Sequence, residues 1–468
     1  MKKPISFALV LALSLVVNVT RADFTFGTSI PLMDAYTLGN EFGSSISADG
    51  LSLYFTTGPK WPGGYGHFDI WVTTRKDVND PFEAPQNLGP AVNSPASECE
   101  PSISRDGLSL YLCDGLWDGG IARPGGFGKG DLWVTTRPAV DSDWCIPENL
   151  GPVVNSAATE AGPSISGDGL SLFFESDRPA GSGVHDVWVT TRSTLSDKWS
   201  EPVNLGPAVN SSSEDGQADI SANGLALFFQ SGRFGRHDTL VTIRAARGEP
   251  FGPPVLIGPL IDSSVYAITP NVSADGRTLF FTDWRSVTDY NIAQAPIIPI
   301  LDLNGDGIVD SADMCIIVDH WGTDNKLCDI GPMPWGDGIV DVQDLIVLAE
   351  HLFEEVPPVE SVEVNEDNDG GQVELELGRI LIVTLESNPS TGYRWEQAED
   401  NASILEQLGE AEFKSSSTSD PPLVGAGGWE IFRFKTMSAG QMTLKLVYHR
   451  PWEDVEPLRT FTIQTIVH

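Results

Sequence analysis

The residues with the clearest chemical purpose lie in the segment DLNGDGIVDSAD, residues 302–313. Oxygen-bearing side chains recur there at every second or third position, and Gly307 stands where such a loop must turn sharply. A hard cation such as Ca²⁺ takes about six to eight oxygen ligands. The spacing therefore predicts a Ca²⁺ loop. Its ligands would be Asp302, Asn304, Asp306, Asp310, Asp313 and the backbone carbonyl of Ile308.

A second segment, residues 335–353, repeats part of this pattern as WGDGIVDVQDLIVLAEHLF. The acids that match loop positions five, nine and twelve are Asp337, Asp341 and Asp344. Positions one and three are Met333 and Trp335, which offer no ligand oxygen. Asp329 can contribute only if the residues after it form an inserted excursion, so occupancy of a second Ca²⁺ loop stays open.

Each loop is followed by an apolar pattern of helical period, MCIIVDHWG after the first and DLIVLAEHLF after the second. A Ca²⁺ loop and helix, present twice in succession, resembles a type I dockerin. Members of that family bind cohesin modules in extracellular complexes. The resemblance implies a small α-helical, calcium-binding tether over residues 299–354, with a cohesin-type module as its partner. The first loop matches at every position, whereas the second matches in part.

The N-terminus has the charge pattern of exported proteins. Two lysines precede an apolar run over residues 5–19, and Ala22 is a small residue at the end of the stretch. The pattern predicts a secretory signal peptide at residues 1–22, and hence a secreted or periplasmic protein. A membrane-spanning helix needs about 20 apolar residues, and neither this run nor any later segment is long enough.

The chain is strongly acidic, with 65 Asp and Glu against 28 Lys and Arg and a formal net charge of −37. Such a charge disfavours binding to nucleic acid or to anionic membranes, and it favours solubility or Ca²⁺ binding. Five cysteines are too few for a disulfide scaffold. One or two bridges stay plausible, because Cys99 and Cys113 flank a predicted hairpin and Cys315 and Cys328 flank the first helix, whereas Cys145 has no evident partner.

The first half of the chain repeats itself five times. The first repeated element occurs as SISADGLSLYF (45–55), SISRDGLSLYL (102–112), SISGDGLSLFF (164–174), DISANGLALFF (219–229) and NVSADGRTLFF (271–281). The second element is DIWVTTR (69–75) and its equivalents at 131–137, 186–192, 238–244 and 289–295. A third element, NLGPAVNS, occurs at 87–94 and recurs at 149–156 and 204–211.

Asp-Gly between alternating apolar runs is a strong hairpin signal, so each repeat predicts several short antiparallel strands. Repeats of this length and content resemble WD-like propeller repeats, which implies a five-bladed β-propeller over residues 23–298. The fifth repeat lacks the third element, while SIPLMDAY (29–36) stands alone before the first. We therefore expect the N-terminal segment to complete the last blade and close the ring.

Some five-bladed propellers hydrolyse glycosides with carboxylates in a central funnel. Here the conspicuous acids recur once per repeat. One equivalent set is Asp69, Asp131, Asp186, Asp238 and Asp289, and another is Glu41, Glu98, Glu160 and Asp215. A catalytic pair breaks the symmetry of a repeat, whereas a structural hydrogen bond repeats with it, so structural acids are favoured over an active site.

The pattern of apolar residues in the C-terminal region again predicts β-strands. After a Pro- and Glu-containing linker at residues 355–360, apolar alternation appears at 372–377, 380–386, 429–435, 442–449 and 461–467. Short alternating strands separated by turns over about a hundred residues suggest an Ig-like β-sandwich. The whole chain is thus predicted to be mainly β and multidomain.

Three turns lie at the ends of these strands: NPSTG (388–392), GAGG (425–428) and RPW (450–452). In this order and spacing they resemble the chagasin family of cysteine-protease inhibitors, over residues 361–468. The resemblance implies that the first turn covers the catalytic centre of a papain-like protease and that the other two flank it. The implied contact residues are Asn388, Pro389, Ser390, Thr391, Gly392, Gly425, Gly427, Gly428, Arg450, Pro451 and Trp452. Ser390 stands where the family often has Thr.

Three functions are compatible with this organisation. The first is a secreted, non-catalytic inhibitor of papain-like cysteine proteases, with Ca²⁺ as its cofactor and a propeller that binds a protein or another ligand. The second is a non-catalytic component of an extracellular polysaccharide-degrading complex assembled through dockerin–cohesin contacts. The third, a propeller hydrolase, is disfavoured because no asymmetric carboxylates are evident in the sequence.

Overall fold

We analysed a computed structural model of the chain. It describes residues 24–27, 29–32, 40–58, 61–115, 121–244, 246–257, 266–286, 289–299, 301–303, 308–323, 328–331, 336, 339–353, 361–375, 379–398, 404–407, 411–415, 427–436, 440–452 and 455–467. The predicted signal peptide at 1–22, the linker at 355–360 and the site residues Asn304, Asp306, Asp337 and Gly425 lie outside these ranges. The described part is mainly β, with two α-helices, none long and apolar enough to cross a membrane.

Five antiparallel sheets follow one another along the N-terminal part. Two short strands, β1 (Phe24–Phe26) and β2 (Ile30–Pro31), precede the first repeat. Sheet 1 consists of β3 (Glu41–Ile46), β4 (Ser52–Thr57), β5 (Asp69–Thr74) and β6 (Gln86–Asn87). Sheet 2 consists of β7 (Glu98–Ile103), β8 (Ser109–Asp114), β9 (Leu132–Thr136) and β10 (Glu148–Asn149).

The next two sheets have the same order. Sheet 3 consists of β11 (Glu160–Ile165), β12 (Ser171–Ser176), β13 (Asp186–Thr191) and β14 (Val203–Asn204). Sheet 4 consists of β15 (Asp215–Ile220), β16 (Ala226–Ser231), β17 (Asp238–Ile243) and β18 (Val255–Leu256). Sheet 5 consists of β19 (Tyr266–Val272), β20 (Thr278–Ser286) and β21 (Asp289–Pro299), joined by β1 and β2.

The N-terminal segment pairs where the sequence predicted. Phe24 lies opposite Pro299, and Ile30 lies opposite Gln294, so β1 and β2 both extend sheet 5 along β21. Phe24 and Phe26 are buried in the apolar core that this sheet shares with sheet 4. The segment therefore takes the place of the element that the fifth repeat lacks.

The first strands of the five sheets contact one another in sequence, and β19 contacts β3, so the sheets form a closed arrangement that we call the five-sheet ring. One backbone N–H near the end of each first strand donates to a polar side chain of the neighbouring sheet. These bonds are Ile103 to Ser45 Oγ (3.1 Å), Ile165 to Ser102 Oγ (3.1 Å), Ile220 to Ser164 Oγ (3.1 Å), Val272 to Asp219 Oδ2 (2.8 Å) and Ile46 to Asn271 Oδ1 (2.9 Å).

The repeated motifs hold each sheet together. In sheet 2, the Arg137 guanidinium donates to the carbonyl of Gly107 in the hairpin turn at 2.7 Å and stacks on Trp144. The side chain of Asn155, in the third element, accepts from the Leu132 N–H and donates to the Leu132 carbonyl, at 2.9 and 3.0 Å. Corresponding bonds recur in sheets 1 and 3, which explains why the three motifs repeat together.

Four of the recurring acids accept hydrogen bonds that close loops. Asp131 accepts from the N–H groups of Phe127 and Gly128, and Glu160 accepts from both the N–H and the hydroxyl of Ser156. Asp69 and Asp186 make the corresponding bonds in sheets 1 and 3. A buried carboxylate that accepts several backbone bonds closes a loop, because it satisfies donors that would otherwise be buried without partners.

The cysteines form no bridge in the structure, where all five are thiols. Cys99 and Cys113 do lie opposite each other in register, as the hairpin predicted. Cys315 is exposed and Cys328 is buried, and no bridge joins them.

Two helices form the middle module, α1 (Ser311–Asp319) and α2 (Val342–Glu350). Both begin with the same capping box. The Asp310 side chain accepts from the Ala312 N–H while Asp313 accepts from the Asp310 N–H, and Asp341 and Asp344 do the same in the second helix. The matched caps place the two predicted loops in equivalent positions relative to their helices.

Two further sheets form the C-terminal domain. One contains β22 (Ser361–Asn365), β24 (Ile380–Ser387), β26 (Leu405–Gln407), β27 (Glu412–Ser415) and β28 (Gly428–Thr436). The other contains β23 (Gly371–Leu375), β25 (Arg394–Gln397), β29 (Gly440–His449) and β30 (Arg459–Val467). Alternate residues of both sheets bury one core, which includes Val383 on β24, Phe434 on β28, Leu446 on β29 and Phe461 on β30.

We expect Phe24→Ala to destabilise the five-sheet ring by ~3 kcal/mol, because a buried phenylalanine loses its packing and leaves a cavity. Ile30→Ala, in the adjacent strand but 53% exposed, is the matched control and should cost under about 0.5 kcal/mol. Thermal unfolding followed by calorimetry distinguishes the two. Equal melting temperatures for Phe24→Ala and the wild type would show that β1 does not contribute to the stable ring.

Candidate functional site

Strand pairing brings the three predicted turns to one end of the C-terminal domain. Ser387, at the end of β24, lies opposite Gly428 at the start of β28. Arg394, at the start of β25, lies opposite His449 at the end of β29. The first turn connects β24 to β25, the second precedes β28 and the third follows β29, so all three leave the two sheets at this end.

The first turn is a short 3-10 helix over Pro389–Thr391. The N–H of Thr391 donates to the Asn388 carbonyl at 3.0 Å, and the N–H of Gly392 donates to the Pro389 carbonyl at 2.9 Å. The side chains add to this: Ser390 Oγ donates to Asn388 Oδ1, and Thr391 Oγ1 donates to the Asn388 carbonyl, both at 2.6 Å. Gly392 ends the turn with a φ of 81°, where a side chain would be strained.

The turn is anchored to the domain at both ends. At one end, the Asn388 N–H donates to the hydroxyl of Tyr448 at 2.9 Å. At the other, the Arg450 guanidinium donates to the Thr391 carbonyl from Nη2 at 3.0 Å and from Nε at 3.2 Å. The same guanidinium lies 4.5 Å from the ring centre of Tyr393, which stacks on Tyr448.

Trp452 joins the third turn to the first. A Cβ atom placed on Gly392 would lie 2.8 Å from two carbons of the Trp452 ring, so only glycine allows this approach. The indole is nevertheless 70% exposed. Pro451 beside it is exposed as well. A large apolar side chain that is held in place and faces solvent is typical of a protein-contact site.

A buried carboxylate fixes the base of the first two turns. Glu430, which is 5% exposed, accepts from Ser387 Oγ at 2.5 Å and from the Trp395 N–H at 3.0 Å. The Trp395 indole donates to the Glu386 carbonyl at 3.0 Å. Glu430 is two residues beyond Gly428, so one side chain ties the strand that follows the second turn to both strands that flank the first.

The C-terminal region matches known proteins. Residues 374–465 match the model described as chagasin family peptidase inhibitor I42. Chagasin of Trypanosoma cruzi is 32% identical over 95 residues, 20% of this chain and 84% of that protein. Amoebiasin-2 of Entamoeba histolytica is 31% identical over 107 residues, 22% of this chain and 83% of that protein.

The chain belongs to the chagasin family. The match is confined to the C-terminal domain, which is a chagasin-like cysteine protease inhibitor domain. Among solved structures, the crystal structure of the cysteine protease inhibitor EhICP2 from Entamoeba histolytica is 25% identical. The match covers 23% of this chain and 95% of that one, with a TM-score of 0.20.

The structure changes one detail of the second turn in this chagasin-family domain. The family resemblance named Gly427 and Gly428 together as contact residues, without distinguishing them. A Cβ at Gly427 would have only the Ser387 carbonyl nearby, at 3.6 Å, which is ordinary contact. A Cβ at Gly428 would lie 2.1 Å from the Lys414 carbonyl. The constraint therefore falls on Gly428, where β27 lies close against β28.

Sequence reasoning also missed the residues beneath the turns. Tyr393, Trp395, Glu430 and Tyr448 belong to no recognised motif, and only Glu430 and Tyr448 lie within the predicted strands. One signal was available: Glu430 is an acid at an inward position of β28, between buried Gly428 and Phe432. A charged residue at an inward position usually has a specific hydrogen-bonding role.

In the middle module, the structure describes Asp302, Ile308, Asp310 and Asp313 of the first predicted loop. Asp313 is fully buried and accepts from the Leu303 N–H at 2.7 Å and from the Asp310 N–H at 2.8 Å. Each carboxylate oxygen has a second lone pair, so these bonds orient the group and leave it able to bind a cation.

The second loop repeats this arrangement with a different first residue. Asp344 is fully buried and accepts from the N–H groups of Ile330 and Asp341, both at 2.6 Å. Ile330 thus corresponds to Leu303, which makes Asp329 the counterpart of Asp302. The hydrogen-bond pattern thus favours Asp329 over Met333 at position one, the alternative left open above. Burial raises the pKa of Asp344.

The donors of both loops are oxygen atoms, which suits a hard cation such as Ca²⁺. Within the described ranges, no three His, Cys, Asp or Glu side chains come together as a metal-binding group. Asn304, Asp306 and Asp337, which would complete the two ligand sets, lie outside those ranges. The described residues thus fit a Ca²⁺ loop in type and in the orientation of Asp313 and Asp344.

We expect Gly428→Ala to destabilise the chagasin-family domain by roughly 2 kcal/mol, because the new methyl group is forced against the Lys414 carbonyl. Gly427→Ala is the matched control and should change stability by under about 0.5 kcal/mol. Urea unfolding of the full chain, followed by tryptophan fluorescence, measures both. A larger effect at Gly427 than at Gly428 would contradict the assignment of the constraint.

Proposed function

We propose that this protein inhibits papain-like cysteine proteases by inserting its three turns into the active-site groove. The observation that carries the proposal is the convergence of the family's three motifs at one end of the domain. The first turn is held by Tyr448 and Arg450, and Trp452 lies against its Gly392. The first turn would cover the catalytic centre, and Gly425–Gly428 and Arg450–Trp452 would flank it.

The geometry of the first turn explains how a protease could bind it without cutting it. A papain-like protease attacks a peptide carbonyl with a Cys thiolate paired with a His. The carbonyls of Asn388 and Pro389 accept hydrogen bonds inside the turn, so they do not present an extended peptide to the nucleophile. Because the turn is ordered before binding, little conformational freedom is lost when the complex forms.

The other parts of the chain would place the inhibitor outside the cell. We propose that residues 1–22 direct secretion, that the five-sheet ring is a five-bladed β-propeller, and that the C-terminal domain is an Ig-like sandwich. The middle module is proposed to be a dockerin-like, Ca²⁺-binding tether. In this proposal no part of the chain is an enzyme, and the inhibitor protects an extracellular assembly from cysteine proteases.

A second candidate function rests on the surface of the middle module. Val318 and Trp321 at the end of α1, and Val342 and Ile346 on α2, are each about half exposed. Exposed apolar side chains gathered on a small helical module indicate a protein partner. A cohesin-type partner would make the chain a non-catalytic component of an extracellular polysaccharide-degrading complex. The two candidates are compatible, since one concerns the tether and the other the inhibitor.

We expect the full chain to inhibit papain reversibly and competitively, without being cleaved. Trp452→Ala should weaken binding roughly 30- to 1,000-fold, because truncating an aromatic anchor at an interface costs about 2–4 kcal/mol. Thr391→Glu should weaken it at least as much, since it puts a charge where the turn meets the thiolate. Titration into papain with a fluorogenic substrate measures all three proteins.

The control for this titration is Ile146→Ala, which truncates an apolar side chain that is 74% exposed on the five-sheet ring. It should inhibit like the wild type. No inhibition at 10 µM by a folded wild-type chain (about ten-thousandfold above nanomolar affinity) would refute the proposed function. Inhibition that is indifferent to Trp452 and Thr391 would keep the function and refute the three-turn mechanism.

We expect Asp302→Ala to abolish the tighter of two Ca²⁺-binding events and Asp329→Ala to weaken the other, because each removes the first ligand of its loop. Ca²⁺ should also raise the unfolding temperature of the module by mass action. Isothermal titration calorimetry on the full chain measures the stoichiometry. Absence of Ca²⁺ uptake at millimolar concentration would rule out the calcium tether.

A further inference from the structure

The centre of the five-sheet ring departs from the repeat. Each first strand has a β-bulge at the same place, and the bulged residue has a positive φ in all five sheets. These residues are Gly43 (56°), Glu100 (52°), Gly162 (57°), Gln217 (50°) and Thr269 (48°). Two sheets use glycine, which takes this conformation readily, and three use residues that do not. Backbone strain of this kind persists where a side chain is needed for another purpose.

These residues face a polar cavity. It is a partly open cavity of about 30 Å³, lined by the bulges of all five first strands. Its lining includes Ser44, Glu100, Gln217, Asp219, Thr269 and Asn271, and no Lys, Arg or His of the described chain. A cavity of this size admits one small group rather than a long polymer.

Glu100, at one side of the cavity, belongs to a pair of buried carboxylates, and its partner Glu175 lies close to it without lining the cavity. The Gln217 side-chain amide donates to Glu100 at 2.7 Å and to Glu175 at 3.3 Å. Glu100 also accepts from the Gly162 N–H at 2.8 Å, and Glu175 accepts from the Gln217 N–H at 2.9 Å. Both side chains are at least 95% buried, and no cationic side chain forms an ion pair with either in the described chain.

Neither carboxylate belongs to a repeated set. The counterparts of Glu100 are the other four bulged residues, and those of Glu175 at the same place in the second strands are Thr56, Cys113, Gln230 and Thr282. Sequence analysis had found only acids that recur with the repeat, so this pair corrects that reading. The recurring acids close loops within their own sheets, whereas Glu100 and Glu175 have no acidic counterparts at the equivalent positions of the other sheets.

A second polar group points to a ligand in the same cavity. Ser44 lines it, is only 7% exposed, and its hydroxyl has no hydrogen-bond partner among the described residues. Buried hydroxyls are normally hydrogen-bonded, and leaving one unpaired is costly. Ser44 lies on β3, next to Gly43, whose absent side chain leaves room for Glu100.

We propose that this central cavity binds a small ligand through a primary ammonium group, held by Glu100 and by the hydroxyls of Ser44 and Thr269, with Glu175 as a second acid close to Glu100. The cavity is rich in hydrogen-bond acceptors and in negative charge. An ammonium group supplies positive charge and three donors from one small centre. An anion would be repelled, and the neutral hydroxyl of a sugar would leave the carboxylates without a counter-charge.

The electrostatics of the pair support a cationic ligand. Burial raises the pKa of Glu100, and burial together with the nearby charge of Glu100 raises the pKa of Glu175. Both carboxylates are therefore poorly compensated in the protein alone, and an ammonium group would stabilise their charged forms. A metal ion is a weaker match, because no three His, Cys, Asp or Glu side chains of the described residues converge there.

The test uses the full chain in saturating Ca²⁺, so that the middle module stays constant. The probes are n-butylamine, glucosamine and Nα-acetyl-lysine amide, each at up to 20 mM, about the range of weak single-site ligands. Their neutral counterparts are n-butanol, glucose and Nα-acetyl-norleucine amide. We expect at least one amine to raise the unfolding temperature and to bind in calorimetry, while the neutral counterparts do neither. Tightest binding of glucosamine would identify an amino sugar as the source of the ammonium group, and tightest binding of Nα-acetyl-lysine amide would identify a lysine side chain.

Glu100→Gln and Glu175→Gln should each weaken amine binding at least tenfold, and the matched control Glu148→Gln, an exposed acid on β10, should leave it unchanged. Ser44→Ala removes a buried hydroxyl that has no partner among the described residues, so it should weaken binding while leaving the unfolding temperature equal or higher, which a purely structural role would not predict. It carries the test if the glutamate variants do not fold. The proposal is overturned if amines act no better than their neutral counterparts, if Glu100→Gln and Glu175→Gln bind amines like the wild type, or if only metal ions respond to these substitutions.

Discussion

The structure depends throughout on buried polar side chains that accept hydrogen bonds from backbone N–H groups. Short strands and tight loops leave many such groups without a partner in a neighbouring strand, and burying them unpaired is costly. Asn155 satisfies Leu132 in the five-sheet ring, Asp313 satisfies Leu303 and Asp310 in the middle module, and Glu430 satisfies Trp395 in the inhibitor domain. Three unrelated folds thus use the same solution.

This constraint explains which features could be predicted from sequence. In the five-sheet ring, the side chains that accept these backbone hydrogen bonds recur with the repeat, so their equivalence can be recognised from the sequence alone. Alternation over residues 380–386 predicted a strand that the structure has at Ile380–Ser387, because one face of that strand is buried and the other is not. The inhibitor turns were recognisable because Pro389 and Gly392 are required by local backbone geometry.

Features that depend on contacts between distant segments could not be predicted. Gly428 must be glycine because the Lys414 carbonyl approaches it from another strand, and nothing near Gly428 in the sequence records that approach. Asp329 corresponds to Asp302 because the N–H of the next residue, Ile330, bonds to Asp344, and the spacing of the acids does not reveal that bond. The positive φ of Glu100 is set by the bulge at the centre of the ring.

In the inhibitor domain, residues that hold a turn in place differ from residues that are free to contact a protease. Arg450 belongs to a turn that the family resemblance assigns to protease contact, yet its guanidinium holds the Thr391 carbonyl and covers Tyr393. Truncating it would release the first turn as well as remove a contact, so its effect on affinity cannot be assigned to contact alone. Trp452 differs, because its indole is mostly exposed. The domain itself orders part of this surface before binding, so less conformational entropy is lost when the complex forms. More of the interaction energy of exposed groups such as Trp452 therefore contributes to affinity.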